Sequence, residues 1–289
     1  MINSLIMIIS ILLSVAFITL LERKLLSYSQ ARKGPNLVGV LGLLQPFSDG
    51  LKLLLKKEPQ WSNSFFISFP PIMFWLSSLI FWIPLNDSGS MMKTSFLWLM
   101  VFSSLGGIFT FLTGWNGGSV YSILGGIRAS AQMISYEVVL SFFFLMSMGI
   151  SSSFFLQDFK ECSFFTSFFC GWWLLLPFWL LSILAETNRA PFDLTEGESE
   201  LVSGFNTEYS SISFTLLFLG EYSMILAFSM ISSILFFQSW IWGLFFVIFI
   251  LWIRSCFPRK RYDFLMYLMW MLMFPSIIVM LIMEFLLIL

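Results

Sequence analysis

Histidine is absent from this chain, cysteine occurs only three times, and charged residues make up 11% of it, where an ordinary soluble domain carries about 25%. Each shortage excludes something. Without imidazole, a Ser-His-Asp triad, a His-ligated metal and a b-type haem cannot be built within the chain. Cys162, Cys170 and Cys256 show no CxxC spacing and are too few for a four-thiolate iron–sulfur cluster, so they read as small apolar side chains. No GxGxxG follows a strand-like run and no GxxxxGK[ST] occurs, which leaves a dinucleotide or a nucleoside triphosphate without an evident cradle. The formal net charge of −1 gives no pull toward nucleic acid. With 58% hydrophobic residues beside so little charge, a soluble globular enzyme is excluded, and any redox chemistry must reach the chain from partner subunits.

What is abundant is long apolar sequence. A helix needs about 20 apolar residues to cross ~30 Å of hydrocarbon. Seven charge-poor windows meet that requirement: 1–21, 59–86, 94–127, 138–157, 162–185, 209–253 and 264–283. The sixth would make a helix of ~67 Å, too long for one crossing, and is split by a turn between positions 232 and 240. The expectation is an all-α polytopic membrane protein with about eight transmembrane helices, residues 1–289 forming one membrane domain. The first window has neither a basic start nor a small-residue cleavage site, so it reads as a retained helix rather than a signal peptide. Glycines 114, 117, 118, 125 and 126 are expected to mark the connection after the third span.

Orientation follows from the basic residues, which favour the inner face of a membrane. Thirteen Lys and Arg fall in the odd-numbered connections, against Lys93 and Lys160 in the even-numbered ones. A single helix in the sixth window would change the count to nine against six, so eight spans fit better. Both termini then face the outer compartment. Three inner connections carry the informative residues: 22–61, 186–208 and 254–263. In the first, Leu43, Leu44, Phe47, Leu51, Leu54 and Leu55 recur at spacings of three and four, with Lys52, Lys56 and Lys57 between them. This predicts an interfacial amphipathic helix over 43–57.

The second inner connection holds Glu186, Asp193, Glu196, Glu198, Glu200 and Glu208 against Arg189 alone, interleaved with Pro191, Phe192, Leu194, Leu201, Val202 and Phe205. A solvated acidic loop has little use for those apolar residues, so the loop is expected to pack against protein. Its crowded carboxylates then hold and pass protons. Two acids fall inside spans, Glu137 in Ser-Tyr-Glu-Val and Glu221 in Gly-Glu-Tyr. A carboxylate at membrane depth is costly, so its default reading is a proton or ion path, the alternative being an internal ion pair such as Glu137 with Arg128. Glu284, near the C-terminus, is expected to reach the interface.

Several of these motifs resemble one family. Leu21-Glu22-Arg23-Lys24, Arg32-Lys33-Gly34-Pro35-Asn36, Leu44-Gln45-Pro46-Phe47-Ser48-Asp49, Gly126-Ile127-Arg128, Ser135-Tyr136-Glu137-Val138, the run from Ala185 to Tyr209 and Arg261-Tyr262-Asp263 closely resemble subunit 1 of NADH:ubiquinone oxidoreductase, respiratory complex I. The resemblance implies a core membrane subunit of a proton-translocating quinone reductase in the mitochondrial inner membrane, with both termini on the intermembrane-space side. Ubiquinone would be its substrate, and NADH, FMN and iron–sulfur clusters would belong to partner subunits of the peripheral arm.

The resemblance also assigns roles. Glu22, Arg23, Asp49, Arg128, Arg189, Asp193, Arg254, Arg259 and Arg261 match positions along the quinone cavity. Glu137, Glu186, Glu196, Glu198, Glu200 and Glu221 match acids that would carry protons toward the membrane arm. No residue forms a covalent catalytic intermediate, and no complete active site resides in this chain. A related hydrogenase-type membrane subunit and a secondary ion transporter are the rival readings. The transporter predicts inverted halves with paired broken helices, and no such repeat is visible.

Overall fold

The computed structural model describes residues 2–56, 65–86, 93–161, 172–193 and 203–288, and the described residues are all helical or irregular. The helices that place the site are α1 (Ile2–Ser29), α2 (Gln45–Leu55), α3 (Phe65–Ile80), α4 (Ser95–Asn116), α5 (Val120–Ser151) and α6 (Leu176–Glu186). They are followed by α7 (Ser211–Phe237), α8 (Gly243–Cys256), α9 (Tyr262–Tyr267) and α10 (Phe274–Ile288), a π-helical stretch over Leu268–Met273 joining the last two. Six of the helical segments are long and apolar enough to cross a membrane, and two shorter apolar ones, Leu176–Glu186 and Trp240–Cys256, accompany them. These eight overlap the predicted windows, although the fourth begins at Val120, well before its window.

The sixth window is indeed two helices. α7 runs to Phe237, where Gln238 turns the chain with a left-handed backbone (φ 54°) and its N–H closes on Ile234 O. The turn thus lies at the far edge of the predicted interval. α7 is the hub of the bundle, packing on α1, α2, α3, α6 and α8. Its small residues allow this closeness, as a Cβ on Gly220 would stand 2.6 Å from the Phe74 ring of α3. In lipid, where apolar burial does not drive helix association, such backbone-to-side-chain contact is the main source of packing energy.

The connection between the third and fourth spans is much shorter than the glycines suggest. Only Gly117 to Ser119 separate α4 from α5: Gly118 takes φ 71°, and Ser119 caps α5 by accepting from Ser122 N at 3.3 Å. Gly125 and Gly126 lie inside α5. They serve close approach, because a Cβ on Gly126 would meet Gly114 Cα at 2.9 Å, and one on Gly125 would meet Phe205 N at 2.7 Å. Arg128 is therefore helical rather than in a connection, and Glu137 stands midway along a 32-residue helix rather than near a helix start.

α1 likewise continues past its window to Ser29, so Glu22, Arg23 and Lys24 are helical. α2 appears where an interfacial helix is predicted. None of its residues is buried, and Phe47, Leu51, Leu54 and Leu55 are exposed. Lys24 Nζ donates to Leu41 O at 2.7 Å and the Phe47 ring meets Phe17 edge-on at 6.1 Å, which fixes α2 against the C-terminal half of α1. Glu284 is only 5% exposed, so it faces the bundle and does not reach outward as the sequence suggests.

Candidate functional site

Residues of α1, α7 and α8 and the segment just after α6 converge on one carboxylate. Glu22 of α1 is 3% exposed, and an uncompensated charge so placed costs several kcal/mol. Compensation comes from two helices and the segment that follows α6. Arg254 of α8 and Arg189, just beyond α6, each place Nη1 on Glu22 Oε1, the latter at 3.3 Å. Tyr222 of α7 donates its hydroxyl to Glu22 Oε2 at 2.6 Å. The Arg189 guanidinium also lies over the Tyr222 ring, 4.4 Å from its centroid, a cation–π contact that fixes the plane of the ring. Arg254 further stands near enough to Arg259 for the two cations to repel. Two guanidiniums around one carboxylate leave the cluster net positive.

The chain just after α6 is held by its neighbours. Gln132, fully buried in α5, donates through Nε2 to Ala185 O at 2.7 Å and to Phe192 O at 3.1 Å, so one side chain ties both ends of the 185–192 turn. The basic connection grips the same segment from the other side. Lys260 N donates to Pro191 O at 3.0 Å, Arg259 Nη2 pairs with Asp193 Oδ2 at 3.2 Å, and Lys260 Nζ lies over the Phe264 ring. Arg23 of α1 pairs with Asp49 of α2 at 2.7 Å on the partly exposed side. Arg261 is exposed, immediately before α9.

Behind this cluster lies a small cavity lined by Phe74, Gly106, Met133, Glu186, Thr187, Asn188, Glu221 and Met224. Its volume for water-sized centres is about 20 Å³, enough for one water, which needs ~10–15 Å³ by that measure. Glu186 and Glu221 are 4% and 9% exposed. Glu137, half-buried in α5, lies within reach of the Ser104 hydroxyl and repels Glu186 through space. Glu186 and Glu221 thus share the cavity, with Glu137 near enough to Glu186 for the two to repel.

The 204–206 turn closes the other flank. Tyr209 donates its hydroxyl to Thr113 O at 2.9 Å, and burial holds its phenol well above the usual tyrosine value.

Of the predicted residues, the structure joins Glu22, Arg189 and Arg254 in one ion cluster, with Asp193 and Arg259 paired beside it. Arg23 and Asp49 pair at the α1–α2 contact, and Glu186 and Glu221 share the cavity. Arg128 is partly buried in α5 and is not joined to Glu137 by a salt bridge among the described residues. Glu196, Glu198 and Glu200 lie outside the described residues. Tyr222, Asn188 and Gln132 escaped the reading of the sequence. The signal for Gln132 was present, since an amide within an apolar helix needs internal partners.

A family profile described as NADH dehydrogenase matches residues 2–285 of the chain. The chain belongs to the NADH dehydrogenase subunit 1 family. It is 44% identical over 291 residues to NADH-ubiquinone oxidoreductase chain 1 of Aedes aegypti, covering 95% of this chain and 91% of that protein. It is 46% identical over 292 residues to the protein of that name from Anopheles gambiae, with the same coverage, and 44% identical over 287 residues to that of Lampetra fluviatilis, covering 93% and 89%. As a member of this family the chain is a membrane subunit of an oxidoreductase complex. Of these residues Glu22, Glu186, Asn188 and Arg189 lie in motifs that carry the resemblance.

Proposed function

We propose that the chain is the quinone-side membrane subunit of a proton-translocating NADH:ubiquinone reductase. It walls much of the path taken by ubiquinone and links reduction of the quinone to proton movement through its buried carboxylates. In this reading NADH, FMN and iron–sulfur clusters are held by partner subunits of the peripheral arm, other membrane-arm subunits receive the coupling, and lipid bathes the remaining faces. The membrane is the mitochondrial inner membrane, with both termini on the intermembrane-space side.

One observation carries the reading. Arg189 and Tyr222 hold Glu22, and the residues immediately before them, Asn188 and Glu221, line the cavity. Two single peptide steps, from two different elements, therefore join the ion cluster to the buried acids. Reducing a quinone to a quinol takes two electrons and two protons, and negative charge persists on the product until the protons arrive. A net positive cluster stabilises that charge best where water is scarce. An anion drawn to Arg189 or Arg254 competes with Glu22 for them and weakens the hold on Tyr222. The displacement passes to Glu221 and Asn188, where protons redistribute among coupled carboxylates. The acids at 193–200 sit in sequence beside this cluster and extend the set that can exchange protons.

The test is photolabelling of the assembled complex with a photoreactive ubiquinone analogue, followed by peptide mapping. Labels on the inner end of α1 and on α2, around Glu22, Arg23 and Asp49, that excess ubiquinone displaces are the expected result. Labelling confined to partner subunits, or insensitive to competition, would overturn the assignment.

A further inference from the structure

Asn188 is the residue of the cavity whose conformation is hardest to explain by packing alone. It stands two residues past Glu186 with a left-handed backbone, φ 50°, a region that Asn tolerates better than most residues and that glycine adopts without strain. It is 9% exposed. Its Nδ2 reaches Met133 Sδ at 3.9 Å, a weak contact, and its Oδ1 is buried without a hydrogen-bond partner among the described residues. Glu186 Oε2 is buried in the same condition. A buried acceptor left unmatched costs about 1–3 kcal/mol, and here two occur on residues that line one cavity together with Glu221. Both need a donor. The cavity has room for one water, and a water with two to four polar partners is a stable occupant of such a space.

We propose that Asn188 is a positioning residue whose carboxamide oxygen holds a water between the Glu186 and Glu221 carboxyl groups. The inference rests on the proton path proposed above and assigns to it a residue outside the acids. With Oδ1 accepting one of its hydrogens, the water keeps its other hydrogen and its lone pairs for the two carboxyl groups. Transfer is then a paired step. The O–H bond of one carboxyl breaks as a bond to the water oxygen forms, and the water's O–H bond toward the other carboxylate breaks as that carboxyl is protonated. The water is regenerated, and one proton has crossed the cavity. Phe74, packed on the bare backbone of Gly220, forms part of the cavity wall.

The experiment uses the assembled complex in its membrane with Asn188→Gly and Asn188→Asp, beside Glu186→Gln and Glu221→Gln. Glycine adopts the left-handed backbone and removes the carboxamide, whereas aspartate keeps an oxygen where Oδ1 stands. Expected for Asn188→Gly is a quinone reductase rate lower by about tenfold, the size of one lost hydrogen bond, with an enlarged solvent deuterium isotope effect. Asn188→Asp is expected to retain more of the rate. A native rate and isotope effect in Asn188→Gly overturns the proposal. So does equal impairment of the two variants, which assigns the loss to packing against Met133. Should Asn188→Gly fail to assemble, Asn188→Asp decides alone: a rate within about threefold of native supports the role, since less than one hydrogen bond is then lost, and a loss as complete as that of Glu186→Gln overturns it. If both Gln variants keep native rate and proton stoichiometry, the path itself is wrong. If they lose them while Asn188→Gly does not, only the role of Asn188 falls.

Discussion

Glu22 shows how a single buried charge is made tolerable and useful at once. Its partners come from elements distant in sequence, so each can be removed separately. Tyr222→Phe deletes one hydrogen bond to an ionised acceptor while keeping the ring under Arg189. Such a bond is worth about 1.5–3 kcal/mol, and the variant is expected to lower the thermal-shift midpoint of the assembled complex while still assembling. Arg189→Met is expected to be worse. It removes a cation from a buried carboxylate, a change that typically costs about 3–5 kcal/mol, partly relieved by Arg254. Quantifying the subunit within the purified complex separates the two, because loss of assembly should be much greater for Arg189→Met. Gln132→Leu is near in volume but removes a donor from Ala185 O, which keeps the Asn188 N–H, and from Phe192 O. Its expected effect is a more accessible 185–193 segment, read as faster backbone hydrogen exchange there.

Among the helices, the close pair α4–α5 depends on glycine. Gly126→Ala sets a methyl against the backbone of Gly114, and neither backbone can yield without parting the helices. Overpacking of this kind costs about 1–3 kcal/mol. Gly50→Ala in α2 has open space around it and gains about 1 kcal/mol of helix propensity. The first variant should reduce the amount of assembled complex and the second should leave it unchanged, as measured on native gels. These glycines also mark what could not be read in advance. Hydropathy and length pointed to the six long apolar helices and the two shorter ones, because lipid demands about 20 apolar residues whatever the sequence. The ends of crossings were less legible. Glycine signals a turn and a close helix contact alike, which is why Gly125 and Gly126 suggested a connection that α5 in fact runs through. Charged residues at 22–24 suggested an early end to α1, although α1 needs Glu22 to be helical in order to aim it at Arg189 and Arg254.

For the whole chain, the proposed orientation puts the basic connections on one face of the membrane and both termini on the other. Thiol labelling with a membrane-impermeant reagent tests this in sealed membranes of known orientation. The native Cys256, exposed at the end of α8, should react only from the face that carries the basic connections, and a cysteine introduced at Lys93 only from the other. The composition announced a membrane subunit dependent on partners; the acids at 137 and 221 were legible because charge is rare in such helices, and Glu186 because it opens an acidic stretch interleaved with apolar residues. Their joining to the Glu22 cluster through Asn188–Arg189 and Glu221–Tyr222 was not, since adjacency in sequence acquires that meaning only once four helices have met. That joining is the core of the account, and the proton-to-electron ratio of the Glu221→Gln complex tests it most directly. Quinone reduction that continues at a lowered rate with a reduced ratio is the expected result. Full retention of both rate and ratio would contradict it.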